Sequence, residues 1–381
     1  MKHQNMQRLC FHERRHHLCE GIFERFQRYS LQTLKTLSYE KPSYSINENK
    51  PSKDKIIYVP DDHKTIQEAV DHAEPGDTII VRDGIYEEKI IIIKHYLTIK
   101  SENGPENCIV KAKSHYDPTF LIYGDHTTLI GFTIMDAEDG IYLHSSSNNI
   151  IMDNSISNNM DGVELYDSSN NIIMNNSISK NVIGIGLEES SNNTIMNNII
   201  SNNEEDIEVA ASSNNIFTNN TISNSGCGIE FLGCSSNNTI ENNIISNNRG
   251  YGIRICESST NIIANNNVSN NKYGIQLLMS WSNRITKNNI NNNDWGIILY
   301  STFGNVITFG NVITKNNFIR NSIQATFVDS FFNWWFNNYW DDWRWKFSLP
   351  RPIMGTIYLE FTIYIPWINF DWHPSTEPIE G

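Results

Sequence analysis

Gly162-Val-Glu-Leu-Tyr-Asp-Ser-Ser-Asn-Asn-Ile-Ile-Met-Asn-Asn-Ser-Ile-Ser-Lys-Asn181 is the clearest of nine copies of one motif. Copies begin at Gly140, Gly162, Gly184, Asp206, Gly228, Gly252, Gly274 and Gly296, and a degenerate one begins at Gln324. The spacing is 22 residues, apart from 24 after Gly228 and 28 after Gly296. A fixed period of this size marks a stacked solenoid, because one repeat alone cannot bury its apolar face.

The columns of the repeat say which solenoid. One and three residues after each glycine the chain is apolar, as in Val163/Leu165, Ile185/Leu187 and Ile253/Ile255. Such alternation is strand patterning, with one face in and one face out. Two more short β segments follow, around Ile151 and Ile156 in the first copy. Asn and Ser disfavour helix because they bond their own backbone. Three strands and three turns per 22 residues describe a coil of a right-handed parallel β-helix, an all-β fold. Leucine-rich repeats share the period but need spaced leucines and a single asparagine. One asparagine column runs Asn149, Asn171, Asn193, Asn215, Asn238, Asn261, Asn283, Asn305. A second runs Asn154, Asn176, Asn198, Asn220, Asn243, Asn266, Asn288, Asn316. Asn tolerates the left-handed conformation of a sharp turn, and amides stacked at about 4.8 Å can bond coil to coil as a ladder. These columns therefore read as structural.

Outside the repeats the 381-residue chain divides by composition. Residues 1–55 carry 11 Lys/Arg against 6 Asp/Glu and read as a basic flexible segment, although the chain as a whole has net charge −14. An acidic balance argues against nucleic acid as a partner, since phosphate contacts need a basic face. His12 and His16 share a face if that segment is helical, which makes a metal site conceivable there. No apolar core of a signal peptide and no membrane-spanning run is visible. The six cysteines show no disulfide or zinc spacing, although Cys234 and Cys256 lie one coil apart. Residues 56–135 read as an N-terminal cap with the first irregular coils. Thr65 and Glu68 mark a helix start there, and Ile66, Ala69, Val70 and Ala73 form its apolar face. Residues 136–330 are the regular repeats, and 331–381 form a Trp-rich C-terminal cap and tail. Phe303–Thr308 is repeated at once as Phe309–Thr314, so one copy should keep the ladder and the other should loop out.

Thr65-Ile-Gln-Glu-Ala-Val70, Pro75-Gly-Asp-Thr-Ile79, Ile130-Gly-Phe-Thr-Ile134 and the Ser-Ser-Asn-Asn coils together resemble the NosD-like β-helix proteins of the pectin-lyase-like superfamily. Asn338-Tyr-Trp-Asp-Asp-Trp343 resembles the motif that closes such repeats in surface proteins. The resemblance covers about residues 56–343. It implies an extracellular or cell-surface protein on a scaffold that also hosts lyases, hydrolases, epimerases, adhesins and metal-centre assembly factors.

Three stripes are candidate sites. Glu164, Glu208 and Glu230, then Arg254 and Gln276, follow their glycines by two residues, with Asp167, Glu188, Glu189 and Glu257 nearby. β-Helix enzymes keep carboxylates on such a face for glycoside cleavage or calcium-assisted lyase chemistry. The blander expectation is a solvated face, because the catalytic sets of polygalacturonases, lyases and epimerases are missing. Tyr251, Tyr273 and Trp295 form an aromatic strip against which a polysaccharide could stack. Met152, Met174 and Met196 form a thioether stripe suited to copper(I), and the resemblance implies copper-site maturation as one role. Asn-x-Ser/Thr triplets begin at Asn175, Asn192, Asn219, Asn237 and Asn267. The expected partner is a polysaccharide, a cell-surface glycan or an envelope protein. The favoured role is non-catalytic binding; the alternatives are a polysaccharide lyase or glycoside hydrolase and a copper accessory factor, with calcium or copper the metals to consider.

Overall fold

The computed structural model describes residues 55–301, 308–343, 349–359 and 363–379. Within 51–381, a single compact unit, the chain winds as an all-β parallel solenoid. Each regular coil contributes one six-residue strand, such as Asp161–Tyr166, and two three-residue strands, such as Ile172–Met174 and Ser177–Ser179. The long strands stack on long strands, and each short strand stacks on its own kind, all parallel. Two of the three columns count as one 26-stranded sheet only because a C-terminal hairpin joins them; the third is a 12-stranded sheet. Register follows the repeat, with Ile141 over Val163 and Ile151 over Ile173.

The interior is what the apolar columns require. Ile151, Ile156, Val163, Leu165 and their equivalents are fully buried in one continuous core. Each such side chain contributes roughly 1.5–3 kcal/mol by leaving water. The glycine column also faces inward: a Cβ on Gly162 would lie 2.5 Å from the Gly184 carbonyl oxygen and 3.1 Å from Asn181 Nδ2. Asp206 occupies this column because the asparagine expected above it is replaced by Ser225. Its Oδ1 accepts from Ser225 Oγ at 2.7 Å and from Asn203 Nδ2 at 2.8 Å.

The asparagine ladders form, with a division of labour that the sequence reading merged. In each Asn-Asn pair the first residue takes the left-handed conformation, as Asn170 (φ 60°) and Asn192 (φ 61°) do, and points outward. The second is buried in the ladder: Asn171 N–H donates to Asn193 Oδ1 (2.8 Å), while Asn171 Nδ2 donates to Ser146 O (3.1 Å). A third ladder links Asn159, Asn181 and Asn203, and Ser146, Ser168 and Ser190 make a fourth with their hydroxyls. Each closes a turn whose backbone N–H would otherwise be buried without a partner.

The irregularities fall in turns. The extra residues after Gly228 enter at Gly233–Cys234 and at Arg249–Gly250, where the coil-to-coil bonding steps from 22 to 23 and then 24 residues. Of the duplicated hexapeptides, the second keeps the ladder: Asn283 donates to Asn311 Oδ1 at 2.8 Å, and Val312–Thr314 pairs with Arg284–Thr286. Asn311 therefore holds the rung expected for Asn305, which lies outside the described residues.

Both ends of the core are closed. Helix α1 (Ile66–His72) starts at Thr65, whose Oγ1 accepts Glu68 N–H at 3.1 Å, and buries Ile66, Ala69 and Val70. Glu88 reaches its first turn, accepting Ile66 N–H (2.9 Å) and Gln67 N–H (3.0 Å). At the other end Trp335 and Trp340 are buried, and Phe318 stacks on Trp340 at 4.0 Å. Asp371 then supplies the last rung, accepting Asn338 Nδ2 (3.0 Å) and Trp340 Nε1 (2.9 Å). Trp334, Trp367 and Trp372 are exposed, so the aromatic tail is only partly a plug. Trp345, Cys10, Cys19, His12 and His16 lie outside the described residues. Cys256 is buried and Cys234 half-buried.

Candidate functional site

The glycine and the residue after it both turn inward, so the outer face of the long-strand sheet carries three columns. They are the residue before the glycine and those two and four after it. The second of these columns reads Tyr142, Glu164, Gly186, Glu208, Glu230, Arg254, Gln276 in consecutive coils.

The glutamates on it are not a solvated face, contrary to expectation. Glu208 is 5% exposed and Glu230 1%. Each lies between neighbours one coil above and below, and the two flanking columns fence it in. Carboxylate oxygens of Glu205, Glu208 and Glu230 come within 4.8 Å of one another. Arg254 ends the run, its Nη1 2.5 Å from Glu230 Oε1, and its guanidinium lies 5.1 Å from the Tyr251 ring centre. One residue thus joins the acidic cluster to the aromatic strip. Glu164 bends over Gly186: a Cβ there would fall 1.8 Å from Glu164 Oε2. Burial, then the charges of Asp161, Glu188 and Asp139, push the Glu164 carboxyl well above the usual range. Burial and Glu189 raise Glu188 to about 7.

Below Glu164 lies a patch that the sequence reading missed. Tyr142 Oη is 3.0 Å from His144 Nδ1, Tyr166 stacks on His144 at 5.3 Å, and Tyr123 meets it edge-on at 5.4 Å. Burial and then Glu164 push the Tyr142 hydroxyl upward. The signal was present: Tyr142 and His144 occupy, in the first copy, the outward positions that carry Glu164 and Tyr166 in the second.

Tyr251, Tyr273 and Trp295 stand in one column before their glycines. Tyr251 and Tyr273 lie 4.8 Å apart and 20° from parallel, so their faces cover each other and their edges face solvent. Trp295 is 6.4 Å from Tyr273 and tilted by 32°. Met152, Met174 and Met196 are in register on a short-strand sheet and half-buried. Asp167, Glu189 and Glu257 take left-handed turn positions beside the long strands.

Residues 118–253 match the family model for a right handed beta helix region, and 207–344 match that for the periplasmic copper-binding protein NosD. A cell surface glycoprotein of Methanothermus fervidus is 37% identical over 95 residues, which span 24% of this chain and 15% of that protein. Among solved structures, the A-module of the mannuronan C-5 epimerase AlgE6 of Azotobacter vinelandii superposes with TM-score 0.60 at 16% identity, over 72% of this chain and 88% of its own. The Dettilon tailspike protein gives 0.61 at 15% identity, over 73% and 65%. XylC in complex with xylose gives 0.61 at 14%, over 70% and 75%. At these identities the likeness is one of fold. The matched segment 207–344 contains no histidine, a single methionine, Met279, and three cysteines, Cys227, Cys234 and Cys256, and the three stacked methionines precede it. The acidic cluster offers hard oxygen donors, which suit calcium or magnesium rather than copper(I). Among the described residues no helix is long and apolar enough to cross a membrane.

Proposed function

The chain is a NosD-like right-handed parallel β-helix protein, and from that premise we propose that it is a non-catalytic surface protein that binds a polysaccharide along the outer face of its long-strand sheet. The observation that carries this is the continuity of that face. Glu205, Glu208 and Glu230 run through Arg254 into Tyr251, Tyr273 and Trp295 without leaving adjacent columns. Carboxylates accept from sugar hydroxyls, Arg254 donates, and aromatic edges with one tilted indole give apolar contact along the chain. Three neighbouring carboxylates disfavour a uronate ligand, so a neutral or amino-sugar polymer fits better. The cell surface is the fitting location, as it is for the Methanothermus relative. On a glycan array the full chain should retain a neutral or amino-sugar polymer. Trp295→Ala should lower that retention about tenfold, the equivalent of ~1.4 kcal/mol; unchanged retention removes the strip from the site.

A second reading, a glycoside hydrolase, draws on a different patch. Glu164 and Glu188 are both held towards their neutral forms beside Tyr142 and His144, the condition for a general acid. Release of reducing ends that survives both Glu164→Gln and Glu188→Gln excludes it.

A further inference from the structure

The two asparagines of each turn differ in what their amides do. The second spends its Nδ2 in the ladder. The first stands exposed on a left-handed backbone, and the Nδ2 atoms of Asn175, Asn192, Asn219 and Asn237 donate to no group among the described residues. Two residues after each of these four comes a hydroxyl: Ser177, Thr194, Thr221 and Thr239. In the coils between them the same position is an exposed isoleucine. Ser177, Ile199, Thr221 and Ile244 stack in that order, and so do Thr194, Ile216, Thr239 and Ile262. Ile199 is 57% exposed and Ile244 49%, an apolar surface along two turn edges.

We propose that Asn175, Asn192, Asn219 and Asn237 are N-glycosylation acceptors, and that their glycans cover the isoleucines of the intervening coils. Within either turn column the acceptors are two coils apart, roughly 10 Å at the strand spacing, so neighbouring glycans do not compete for one coil's width. Each glycan is flanked by an isoleucine coil on which the apolar face of a pyranose can lie. Triplets with Asn-x-Ser/Thr are the acceptors of this reaction. The Asn Nδ2 attacks C1 of the reducing-end sugar on a polyprenyl-pyrophosphate-linked oligosaccharide. The new C–N bond forms as the C1–O bond to phosphate breaks; the lipid pyrophosphate leaves with that electron pair and the amide nitrogen gives up one proton. Asn267, the fifth match, differs: it lies within a strand, and Ser269 is buried. It stays bare.

The inference rests on the surface location proposed above, and the experiment separates the two. The full chain is purified from the envelope of the producing cells, and its glycopeptides are mapped by mass spectrometry. Sugar increments are expected on Asn175, Asn192, Asn219 and Asn237, and none on Asn267 or on Asn197 and Asn214, whose turns continue into isoleucine. Four bare acceptors on an envelope-bound chain overturn this proposal alone; a chain confined to the cytoplasm overturns the surface location with it. The variant Ser177→Ala/Thr194→Ala/Thr221→Ala/Thr239→Ala keeps every ladder residue. It should lose all four increments and bind a hydrophobic dye several-fold more strongly. Adding Ile199→Gln, Ile216→Gln, Ile244→Gln and Ile262→Gln should reverse that gain. A gain that persists shows the dye reporting on damaged folding, and no gain at all shows that the glycans cover nothing; either result overturns the shielding role.

Discussion

Two columns of polar side chains climb this protein at the same step, and they solve the problem of repetition in opposite ways. In the ladder through Asn171 and Asn193 every side chain is both donor and acceptor, so an identical neighbour is an ideal partner. Asn171 Nδ2 reaches Asn193 Oδ1 at 3.1 Å, and Asn193 Nδ2 reaches Asn215 Oδ1 at 3.2 Å. In the column through Glu164 and Glu208 an ionised carboxylate only accepts, and its copy one coil away repels it. That column repeats a glutamate over two coils at most, Glu208 and Glu230. Gly186 leaves a gap into which Glu164 folds, Arg254 supplies a cation, and the Glu164 carboxyl is driven towards its neutral form. In a solenoid a side chain must be compatible with itself, and amides are where carboxylates are not.

The largest effect should come from moving the one chemistry into the other's place. Asn193→Asp is isosteric, yet it removes the donor to Ser168 O (2.9 Å) and sets a carboxylate against Asn215 Oδ1. A loss on the order of 3–5 kcal/mol is expected in urea unfolding at pH 7. The loss should shrink in acid, because the buried Asp pKa is raised and its proton restores a donor. A loss below about 1 kcal/mol would mean that the ladder adds little to stability.

Next in size is removal of the cation that ends the acidic run. Arg254→Met keeps the stem that lies against Tyr251 but leaves Glu230, 1% exposed, among Glu205 and Glu208 without its ion pair. We expect a cost of roughly 2–3 kcal/mol at pH 7, recovered largely by adding Glu230→Gln. If the double variant is no more stable than the single one, the arginine acts through packing on the tyrosine.

This contrast also marks how far the sequence could be read. A ladder residue meets its own copy, so the 22-residue period, the apolar columns and the buried asparagines could all be read from repetition alone. Even the choice between Asn305 and Asn311 needed only the register of the flanking strand. The outer face follows no such rule. Its side chains meet unlike neighbours from adjacent columns, and the inward turn of the glycine position brings those columns together. Alternation assigned Glu208 and Glu230 to the outside correctly, and from outside it inferred water, which the structure does not bear out. The Tyr142–His144 pair escaped for a related reason: these residues sit in the first copy, where departures from the consensus look like decay of the repeat rather than a site.

A smaller effect, read in the pH dependence, tests whether crowding on this face costs stability. With Glu188 raised to about 7 in the folded chain, the native state holds a proton that the unfolded chain releases near the ordinary carboxylate value. Its contribution to stability is full in acid below that value and is lost as the pH climbs through 7. The parent should therefore lose roughly 1–3 kcal/mol relative to Glu188→Gln between about pH 4.5 and pH 7.5. Parallel curves for the two proteins would place Glu188 in water.

The smallest change carries the most specific information, because it alters no charge and touches no ladder. In Gly186→Ala the added methyl takes the space now filled by Glu164 Oε2, and what must move is the free end of a flexible side chain rather than backbone. Glu164 should swing outward, gain hydration and leave Asp161 and Glu188, so its pKa should fall towards the ordinary carboxylate range. Lost strand entropy at glycine and lost packing of the carboxyl oppose each other, and the net change in stability should stay within about 1 kcal/mol. The measurement is a carboxyl-carbon NMR titration of Glu164 in both proteins. A titration that does not shift would mean that the neighbouring carboxylates, not the cradle above Gly186, hold that proton. In that case the gap in the column would serve only to keep the next glutamate away.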